Sequence, residues 1–376
     1  MVPAIAPVIA RQRLLIALLL ACLWASGPAT AQTGPRLTVP RGFSIDVFAD
    51  GLGGVRLMAR DPAGTLLVSV PGDGRVLALP DKNADSRADP AVTVVHGLDQ
   101  PHGLAFQDGA LVVAETGRVL RFAYDPASMK ATGRTVLVPD LPRGGRHWTR
   151  TVAIGPDGHL YVSVGSSCNV CREKDRRRGA IVRYNRDGSA ETLFASGLRN
   201  AVGLAFQPGA GALWATVNER DWRGDDAPSE YVTEVREGAF YGWPDCMAVH
   251  GKLTPDTRFE RRARCDGVTA PSFEIQAHSA PMGIAFYTGS QFPAEYQGSA
   301  FVAYRGSWNR TVPTGYKVVV VRFRDGRPVG VEDFVTGWLE GASSWGRPVG
   351  VIVGRDGALY VSDQGAGRIY RISHPS

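Results

Sequence analysis

Residues 151–164 read TVAIGPDGHLYVSV, in which two short β-rich runs flank the turn Pro156-Asp157-Gly158. Residues 350–363, GVIVGRDGALYVSD, repeat this arrangement around Arg355-Asp356-Gly357. A turn of this composition between two β-rich runs predicts a tight β-hairpin. The chain contains 45 Gly and 25 Pro, and no long apolar stretch of helical period follows residue 31. We therefore predict an all-β fold.

The same hairpin recurs along the chain, which indicates internal repetition. Equivalent first-strand positions are 59, 105, 153, 205, 285 and 352, and most copies continue into a third and a fourth β-rich run. Four strands in a unit of roughly 40–50 residues are typical of a propeller blade. The two longer spacings, after positions 205 and 285, contain insertions. The repeat thus predicts a six-bladed β-propeller with four-stranded antiparallel blades.

The segment before the first copy completes this prediction. Residues 42–47 resemble the fourth strand of the other copies, and we expect them to pair with the C-terminal copy. Such pairing closes the ring and protects strand edges that an open stack would expose. We therefore predict one propeller domain over residues 32–376.

The N-terminus predicts export. Arg11 and Arg13 precede a short apolar run at 14–23, and Ala29-Thr30-Ala31 matches a small-x-small cleavage pattern. Residues 1–31 are therefore predicted to be a signal peptide, which places the protein in the periplasm or outside the cell. The run is shorter than the ~20 residues of a membrane span, so no transmembrane span is expected. An alternative is a lipoprotein anchor at Cys22.

The cysteines and the charge narrow the functional class. Four cysteines follow residue 31, and an even number in an exported chain predicts disulfides. The pairs Cys168–Cys171 and Cys246–Cys265 require the least chain rearrangement. Haem attachment at Cys168–Cys171 would require His at position 172, which is Arg. The formal charge of +6 is mild and dispersed, with no pattern typical of nucleic-acid binding.

The antiparallel blades predict where a functional site lies. Loops that join a fourth strand to the next first strand, or a second strand to a third, emerge on one face around the central mouth. These loops are rich in His, Arg, Asn and Gln. Their polar segments are Gln100-Pro101-His102, Arg146-His147-Trp148-Thr149-Arg150, Ser166-Ser167-Cys168, Arg199-Asn200, Asn218-Glu219-Arg220-Asp221, His278-Ser279, Arg305-Gly306-Ser307-Trp308-Asn309-Arg310, Trp345-Gly346-Arg347 and Asp363-Gln364.

Several of these segments resemble those of a known family. His147-Trp148-Thr149-Arg150-Thr151 precedes Gly155-Pro156-Asp157-Gly158, Gly197-Leu198-Arg199-Asn200 precedes Gly203-Leu204-Ala205-Phe206, and Tyr241-Gly242-Trp243-Pro244 follows. In order and spacing the chain resembles the pyrroloquinoline quinone (PQQ)-dependent sugar dehydrogenases related to soluble glucose dehydrogenase, and among them the sorbosone dehydrogenase-like branch. The resemblance covers nearly all of the chain after residue 31. It implies a PQQ- and calcium-dependent oxidoreductase.

The resemblance also implies roles for individual residues. His147 matches the family's general base, which takes the proton of the substrate hydroxyl as hydride leaves its carbon. Arg199 and Asn200 match a pair that contacts the quinone, and Arg199 would stabilise negative charge developing there. Gln100 is the match for a glutamine that contacts the cofactor, although the local spacing differs.

For calcium, the resemblance points to backbone carbonyls in the loop Glu219-Arg220-Asp221. This loop lacks the Gly-Pro of the relatives, so the ligand identities do not carry over. Calcium prefers oxygen ligands, and the acidic stretch 221–230 offers them, although a solvated acidic turn explains that stretch equally well. Bound to the quinone, Ca²⁺ would act as a Lewis acid on its reactive carbonyl.

Late basic residues in the family hold the carboxylates of the cofactor. Arg310 and Arg347 are the matching candidates, followed by Arg305. Because PQQ is a tricarboxylate, an arginine-rich mouth suits it through charge-assisted hydrogen bonds.

Two other classes of function remain open for this fold. A calcium-dependent, lactonase-like propeller hydrolase would share a central metal, and a non-catalytic propeller would bind a ligand without turnover. As partners we expect a small sugar or aldehyde substrate and an electron acceptor that the sequence does not identify. The protein is expected to be a monomer or a homodimer.

Overall fold

The computed structural model describes residues 37–259 and 264–374, together with Met1. The unit that contains the propeller begins at Leu37. The predicted signal peptide and the alternative anchor at Cys22 lie outside the described residues. Helical structure within the described residues consists of two single-turn 3-10 helices, Pro71–Asp73 and Ala294–Tyr296. None of it is long and apolar enough to cross a membrane.

The strands form six four-stranded antiparallel sheets, as the sequence predicts. The first strand, β1 (Ser44–Ala49), belongs to the last blade. Blades 1 to 3 contain β2 (Met58–Arg60), β3 (Leu66–Val70), β4 (Arg75–Leu79) and β5 (Val92–Val95); β6 (Gly103–Gln107), β7 (Ala110–Glu115), β8 (Arg118–Asp125) and β9 (Lys130–Val138); and β10 (Arg150–Ile154), β11 (Leu160–Val164), β12 (Ala180–Tyr184) and β13 (Thr192–Ser196).

Blades 4 to 6 follow the same plan, with insertions. They contain β14 (Asn200–Phe206), β15 (Leu213–Asn218), β16 (Glu230–Val235) and β19 (Phe273–Ile275); β20 (Pro281–Phe286), β21 (Ala300–Tyr304), β22 (Lys317–Arg324) and β23 (Arg327–Val335); and β26 (Pro348–Val353), β27 (Leu359–Asp363) and β28 (Arg368–Ser373), completed by β1. The insertions form two small hairpins, β17 (Cys246–Val249) with β18 (Lys252–Pro255) and β24 (Leu339–Glu340) with β25 (Ser343–Ser344).

The ring closes as expected. Strand β1 pairs with β28 in antiparallel register, with Ser44 opposite Ser373 and Val47 opposite Tyr370. The N-terminal strand is thus the outer strand of the blade formed by the C-terminus. This pairing joins the two ends of the described propeller through backbone hydrogen bonds.

The hydrophobic core lies between neighbouring blades. Successive residues of a strand point to opposite faces, and each second strand has a blade on either side. Leu66 therefore packs toward blade 6 and Leu67 toward blade 2, while Leu111 faces blade 1 and Val112 faces blade 3. All five residues of β3 are buried. Burial on both faces explains why these strands read as continuous apolar runs rather than alternating ones.

Glycine at the start of a first strand allows close packing around the central axis. A side chain at Gly103 would lie 2.6 Å from the backbone nitrogen of Val152 in the next blade. No side chain fits at that distance, so the Gly-Leu-Ala pattern of the repeat has a steric cause. The two predicted disulfides are also present, Cys168–Cys171 and Cys246–Cys265.

Candidate active site

A cavity of about 300 Å³ opens at the central mouth, on the face where the polar loops were predicted to converge. Loops from several blades line it. The polar side chains around it are Arg56, Arg146, His147, Thr149, Arg199, Asn200, Asn218, Glu219, Asp221, Glu230, His278, Arg305 and Gln364. Its floor includes Val202 and Met282, which pack with Leu57 and Val349. The floor is therefore apolar, and the walls carry charge.

His147 is held in one orientation and one tautomer. Its Nδ1 lies 2.9 Å from the backbone oxygen of Ser166 and 2.9 Å from that residue's hydroxyl oxygen. The Ser166 hydroxyl donates its own proton to the backbone oxygen of Cys168 at 2.7 Å. Both contacts of Nδ1 are then acceptors, so Nδ1 carries the hydrogen. Nε2 is left with a free lone pair, as a general base requires.

Burial also keeps this ring neutral. Burial, with a further contribution from the charge of Arg199, lowers the pKa of His147 to about 3. A lowered histidine pKa favours the uncharged form, because desolvation penalises the imidazolium. The base is therefore available without prior deprotonation.

We expect the His147 ring to remain neutral across about pH 5–8, a range in which an ordinary histidine changes charge. It would take up a proton only as the pH falls toward 3. NMR of the ring C–H groups in the ligand-free protein measures this, with the His147→Gln spectrum assigning the signal and free histidine as reference. A titration of that signal within the range would contradict the burial argument.

Arg199 is buried and uses all five of its donors. Its Nε and Nη2 donate to the backbone oxygen and the side-chain oxygen of Asn169, each at 3.0 Å. Its Nη1 donates to the backbone oxygens of Asn218 and Glu219, and Nη2 also pairs with Asp221 at 3.2 Å. The guanidinium thus contributes its charge to the cavity while fixing the loop that carries the predicted calcium site.

Asn169 is a positioning residue that the sequence analysis missed. Besides the two bonds from Arg199, its side-chain oxygen accepts from the backbone nitrogen of Asp221 at 2.8 Å, and its amide donates to the Asp221 carbonyl at 3.1 Å. Its backbone oxygen also accepts from Trp243 Nε1 at 3.1 Å, and Trp243 is buried. The Cys168–Cys171 disulfide closes the short loop that carries Asn169.

Replacing Asn169 with Ala removes three hydrogen bonds and leaves the Arg199 and Asp221 groups without their partner. We expect the free energy of unfolding to fall by about 2 kcal/mol, because buried donors and acceptors lose their bonds. Chemical denaturation measures this. Asn169→Asp retains the acceptor and should restore part of the loss. Asn185→Ala, which removes an exposed bond to Ser189, is the matched control. Equal effects at positions 169 and 185 would contradict the positioning role.

Asn200 lines the cavity and carries an unused acceptor. Its Oδ1 is buried and has no hydrogen-bond donor among the described residues. A side chain at Gly165 would lie 2.5 Å from this oxygen and 2.5 Å from Cβ of His147. Glycine at 165 therefore leaves the space in which His147 and Asn200 stand side by side. Because Asn200 lines the cavity beside His147, this free acceptor is a candidate contact for a bound ligand.

One side of the cavity is acidic. Burial raises the pKa of Glu219 to about 7, with Arg199 acting in the opposite direction, and burial raises the pKa of Glu230 well above its usual range. Asp221 also lines the cavity and pairs with Arg199. Arg220 does not line it, because its guanidinium pairs with buried Asp256. Of the predicted calcium loop, Glu219 and Asp221 therefore line the cavity, and Arg220 does not.

The opposite side is basic. Arg56 Nη1 and Arg305 Nε both donate to Oε1 of Gln364, at 2.8 and 3.0 Å. Within the described residues, neither guanidinium pairs with a carboxylate, and Nε of Arg56 is buried without a partner. Burial, followed by the charge of Arg305, lowers the pKa of Arg56 to about 9. Two uncompensated cations at one amide oxygen form a site for an anion.

The remaining predicted residues lie outside this cavity. Gln100 is exposed, and its amide oxygen accepts from Thr116 at 3.3 Å. Arg310 bonds to the carbonyl of Asp225 and pairs with Asp226. Arg347 lies over the ring of Tyr316, with its guanidinium carbon 5.1 Å from the ring centre. The structure thus brings together His147, Arg199, Asn200, Glu219 and Asp221, and not Gln100, Arg220, Arg310 or Arg347.

Comparison with known proteins agrees with this architecture. Residues 37–375 match the TrAA12-like family. The chain belongs to this family. An uncharacterized protein of Borreliella burgdorferi is 29% identical over 358 residues, covering 89% of this chain and 90% of that protein. The pyrroloquinoline quinone-dependent pyranose dehydrogenase of Coprinopsis cinerea is 27% identical over 422 residues, covering 93% of this chain and 56% of the relative.

A solved structure of a relative has the same fold. The holo form of a pyranose dehydrogenase PQQ domain from Coprinopsis cinerea has a TM-score of 0.77 at 26% identity, over 92% of this chain and 99% of that chain. The chain of this TrAA12-like protein spans about half the length of the curated pyranose dehydrogenase. The predicted resemblance to the PQQ-dependent sugar dehydrogenase family is confirmed.

Proposed function

We propose that this protein is a PQQ- and calcium-dependent dehydrogenase that oxidises an aldose, sorbosone or a related sugar or aldehyde. The observation that carries the proposal is the arrangement of one cavity, in which His147, held through its Nδ1, stands with Arg56 and Arg305 and with the acidic residues Glu219, Asp221 and Glu230. The names of the relatives support PQQ as the cofactor and sugars as the substrate class.

The residues of the cavity fit a PQQ–calcium pair. Arg56 and Arg305 would hold cofactor carboxylates, since both guanidiniums lack a carboxylate partner in the described parts of the chain. Glu219, Asp221 and Glu230 line the same cavity and carry carboxylate oxygens, the ligands that Ca²⁺ prefers. In the described residues the three groups do not gather within 4.8 Å of one another, so binding would draw them together. Bound there, a divalent cation would offset the cost of burying these acids.

His147 performs the proton transfer in this proposal. Its Nε2 accepts the proton of the substrate hydroxyl, while Nδ1–H remains bonded to the Ser166 carbonyl and fixes the ring. When bound, PQQ would supply the hydride acceptor for the carbon that carries this hydroxyl. The hydride and the hydroxyl proton together account for the two electrons and two protons that the substrate loses. The charge of Arg199 favours the negative charge that develops, and the apolar floor at Val202 and Met282 limits water.

The predicted N-terminal signal peptide supports a periplasmic or secreted location, with oxidation outside the cytoplasm. We infer that electrons pass to an external acceptor. The protein would act as a monomer or a homodimer.

The test is dye-linked dehydrogenase activity of the purified protein on aldoses, sorbosone and simple aldehydes. It is run without additions, with PQQ, with Ca²⁺ and with both, alongside PQQ binding measured by absorbance. Activity that requires both additions supports the proposal. Lactone hydrolysis in the absence of PQQ would instead support the hydrolase, and saturable ligand binding without PQQ affinity or turnover would support the binding propeller.

A further inference from the structure

Two exposed tryptophans stand at the rim of the cavity. Trp222 and Trp308 are 63% and 61% exposed, although tryptophan is usually highly buried. Their ring centres are 5.2 Å apart and their planes meet at 86°. The two rings form a corner that offers one flat aromatic face beside the edge of the other.

The corner is held in place by the loops that carry it. Trp222 has φ of 68°, a left-handed conformation that is strained for a bulky side chain. Arg310 bonds to the carbonyl of Asp225, and the backbone nitrogen of Thr311 donates to the Asp225 carboxylate at 3.0 Å. His278 Nε2 lies 2.9 Å from the carbonyl of Gly224. These contacts join the two loops that carry the tryptophans, and the rings pack on each other, which lowers the entropic cost of binding.

The corner is continuous with the cavity. Trp308 lines both the central cavity and a shallower outer pocket that contains Trp222. Asn309, in the outer pocket, donates to Asp221 at 3.3 Å, and Asp221 in turn pairs with Arg199. A molecule that extends out of the cavity therefore passes directly onto the aromatic corner.

We propose that Trp222 and Trp308 form a binding subsite for a second sugar unit, so that the natural substrate class is an oligosaccharide or glycoside. The inference deepens the proposed sugar oxidation and rests on it. The C–H face of a pyranose packs on an indole ring, while its hydroxyls bond to polar groups at the rim of the ring. Asn309, Thr311 and Asp225 line the same outer pocket and supply such groups.

The chemistry of the patch favours a sugar over a protein partner. In the described residues, Val312 is the one other large exposed apolar side chain in the two loops, and Arg223 and Asp226 interrupt the surface. A stable protein interface buries about 800 Å² on each partner around an apolar centre. Two rings surrounded by polar groups match the size and polarity of one pyranose.

The first test measures binding and does not depend on turnover. Isothermal titration of the full-length protein, with and without PQQ, compares glucose with cellotriose and maltotriose. We expect one trisaccharide to bind more tightly than glucose, and Trp222→Ala to weaken that binding about tenfold while glucose binding is unchanged. Trp222→Phe should retain most of the affinity. Val329→Ala, which alters an exposed residue on β23 near its turn with β22, is the control.

The second test uses the enzyme loaded with PQQ and Ca²⁺. Trp222→Ala should raise KM for the trisaccharide about tenfold with kcat unchanged, because the subsite binds ground state and transition state equally. Equal effects on glucose and trisaccharide, or no trisaccharide binding by the parent protein, would overturn the inference. Slower reduction of cytochrome c with unchanged saccharide binding would overturn it too, in favour of a redox partner. Trisaccharide binding without dehydrogenase activity would reject the proposed function and leave the subsite intact.

Discussion

Replacing His147 with Gln should lower kcat/KM for sugar oxidation by about 10²–10⁴-fold, the range that a positioned general base contributes. Glutamine retains an N–H group that can bond to the Ser166 carbonyl, but it has no lone pair basic enough to take the substrate proton. The substitution therefore removes the basic nitrogen and keeps the hydrogen bond that positions the side chain. Steady-state kinetics with a dye acceptor, at saturating PQQ and Ca²⁺, measures the effect.

The same variant should bind PQQ with nearly the affinity of the parent protein, because the carboxylate contacts proposed from the structure come from Arg56 and Arg305. His96→Gln is the matched control, since His96 is exposed. Loss of activity smaller than about fivefold would show that another group takes the proton. Loss of PQQ binding together with activity would show that His147 holds the cofactor rather than the substrate proton.

The repeat made the fold predictable. Each blade buries both faces of its second strand, so the apolar runs are continuous, and the turns and glycines between them recur at regular intervals. Closure by β1 followed from the same repeat, because the last copy lacks a fourth strand. The disulfides followed from the short separations within each cysteine pair.

The repeat also predicted some of the residues that line the cavity. His147 and Arg199 lie in equivalent loops before a first strand, Asn200 begins the strand β14, and the structure brings the three together at the mouth. Arg56 occupies such a loop as well, but the fourth strand before it belongs to the closing blade. Because that fourth strand belongs to another copy of the repeat, the sequence analysis did not recognise the loop of Arg56 as equivalent to those of His147 and Arg199. An Arg two residues before a first strand could have identified it.

The insertions limited the prediction elsewhere. The direction of Arg310 depends on contacts with the loop at 222–226, and Asn169 acquires its role from contacts with Arg199 and Asp221, 30 and 52 residues away. Contacts between irregular loops do not recur at a fixed spacing, so the sequence alone does not predict which residues will meet. The aromatic corner at Trp222 and Trp308 arises in the same way.

The second large effect is expected at Arg56, in the affinity of the protein for PQQ. Replacing Arg56 with Met should weaken PQQ binding about 10–100-fold, because a charge-assisted hydrogen bond to a carboxylate is lost from a buried site. Absorbance titration of the ligand-free protein measures the affinity. Arg60→Met is the control, since Arg60 is an exposed cation on β2 of the same blade.

The same Arg56→Met substitution should increase the stability of the ligand-free protein. The pKa of Arg56 falls to about 9 in the folded protein through burial and the charge of Arg305, so the folded state disfavours this cation relative to the unfolded chain. Near pH 7 the group is charged in both states, and its full cost to stability is present. Methionine keeps much of the volume without the charge, so thermal unfolding should occur at higher temperature. A variant that loses both affinity and stability would make Arg56 a structural residue. A variant that gains stability while losing affinity would show that Arg56 destabilises the ligand-free fold and serves to bind PQQ.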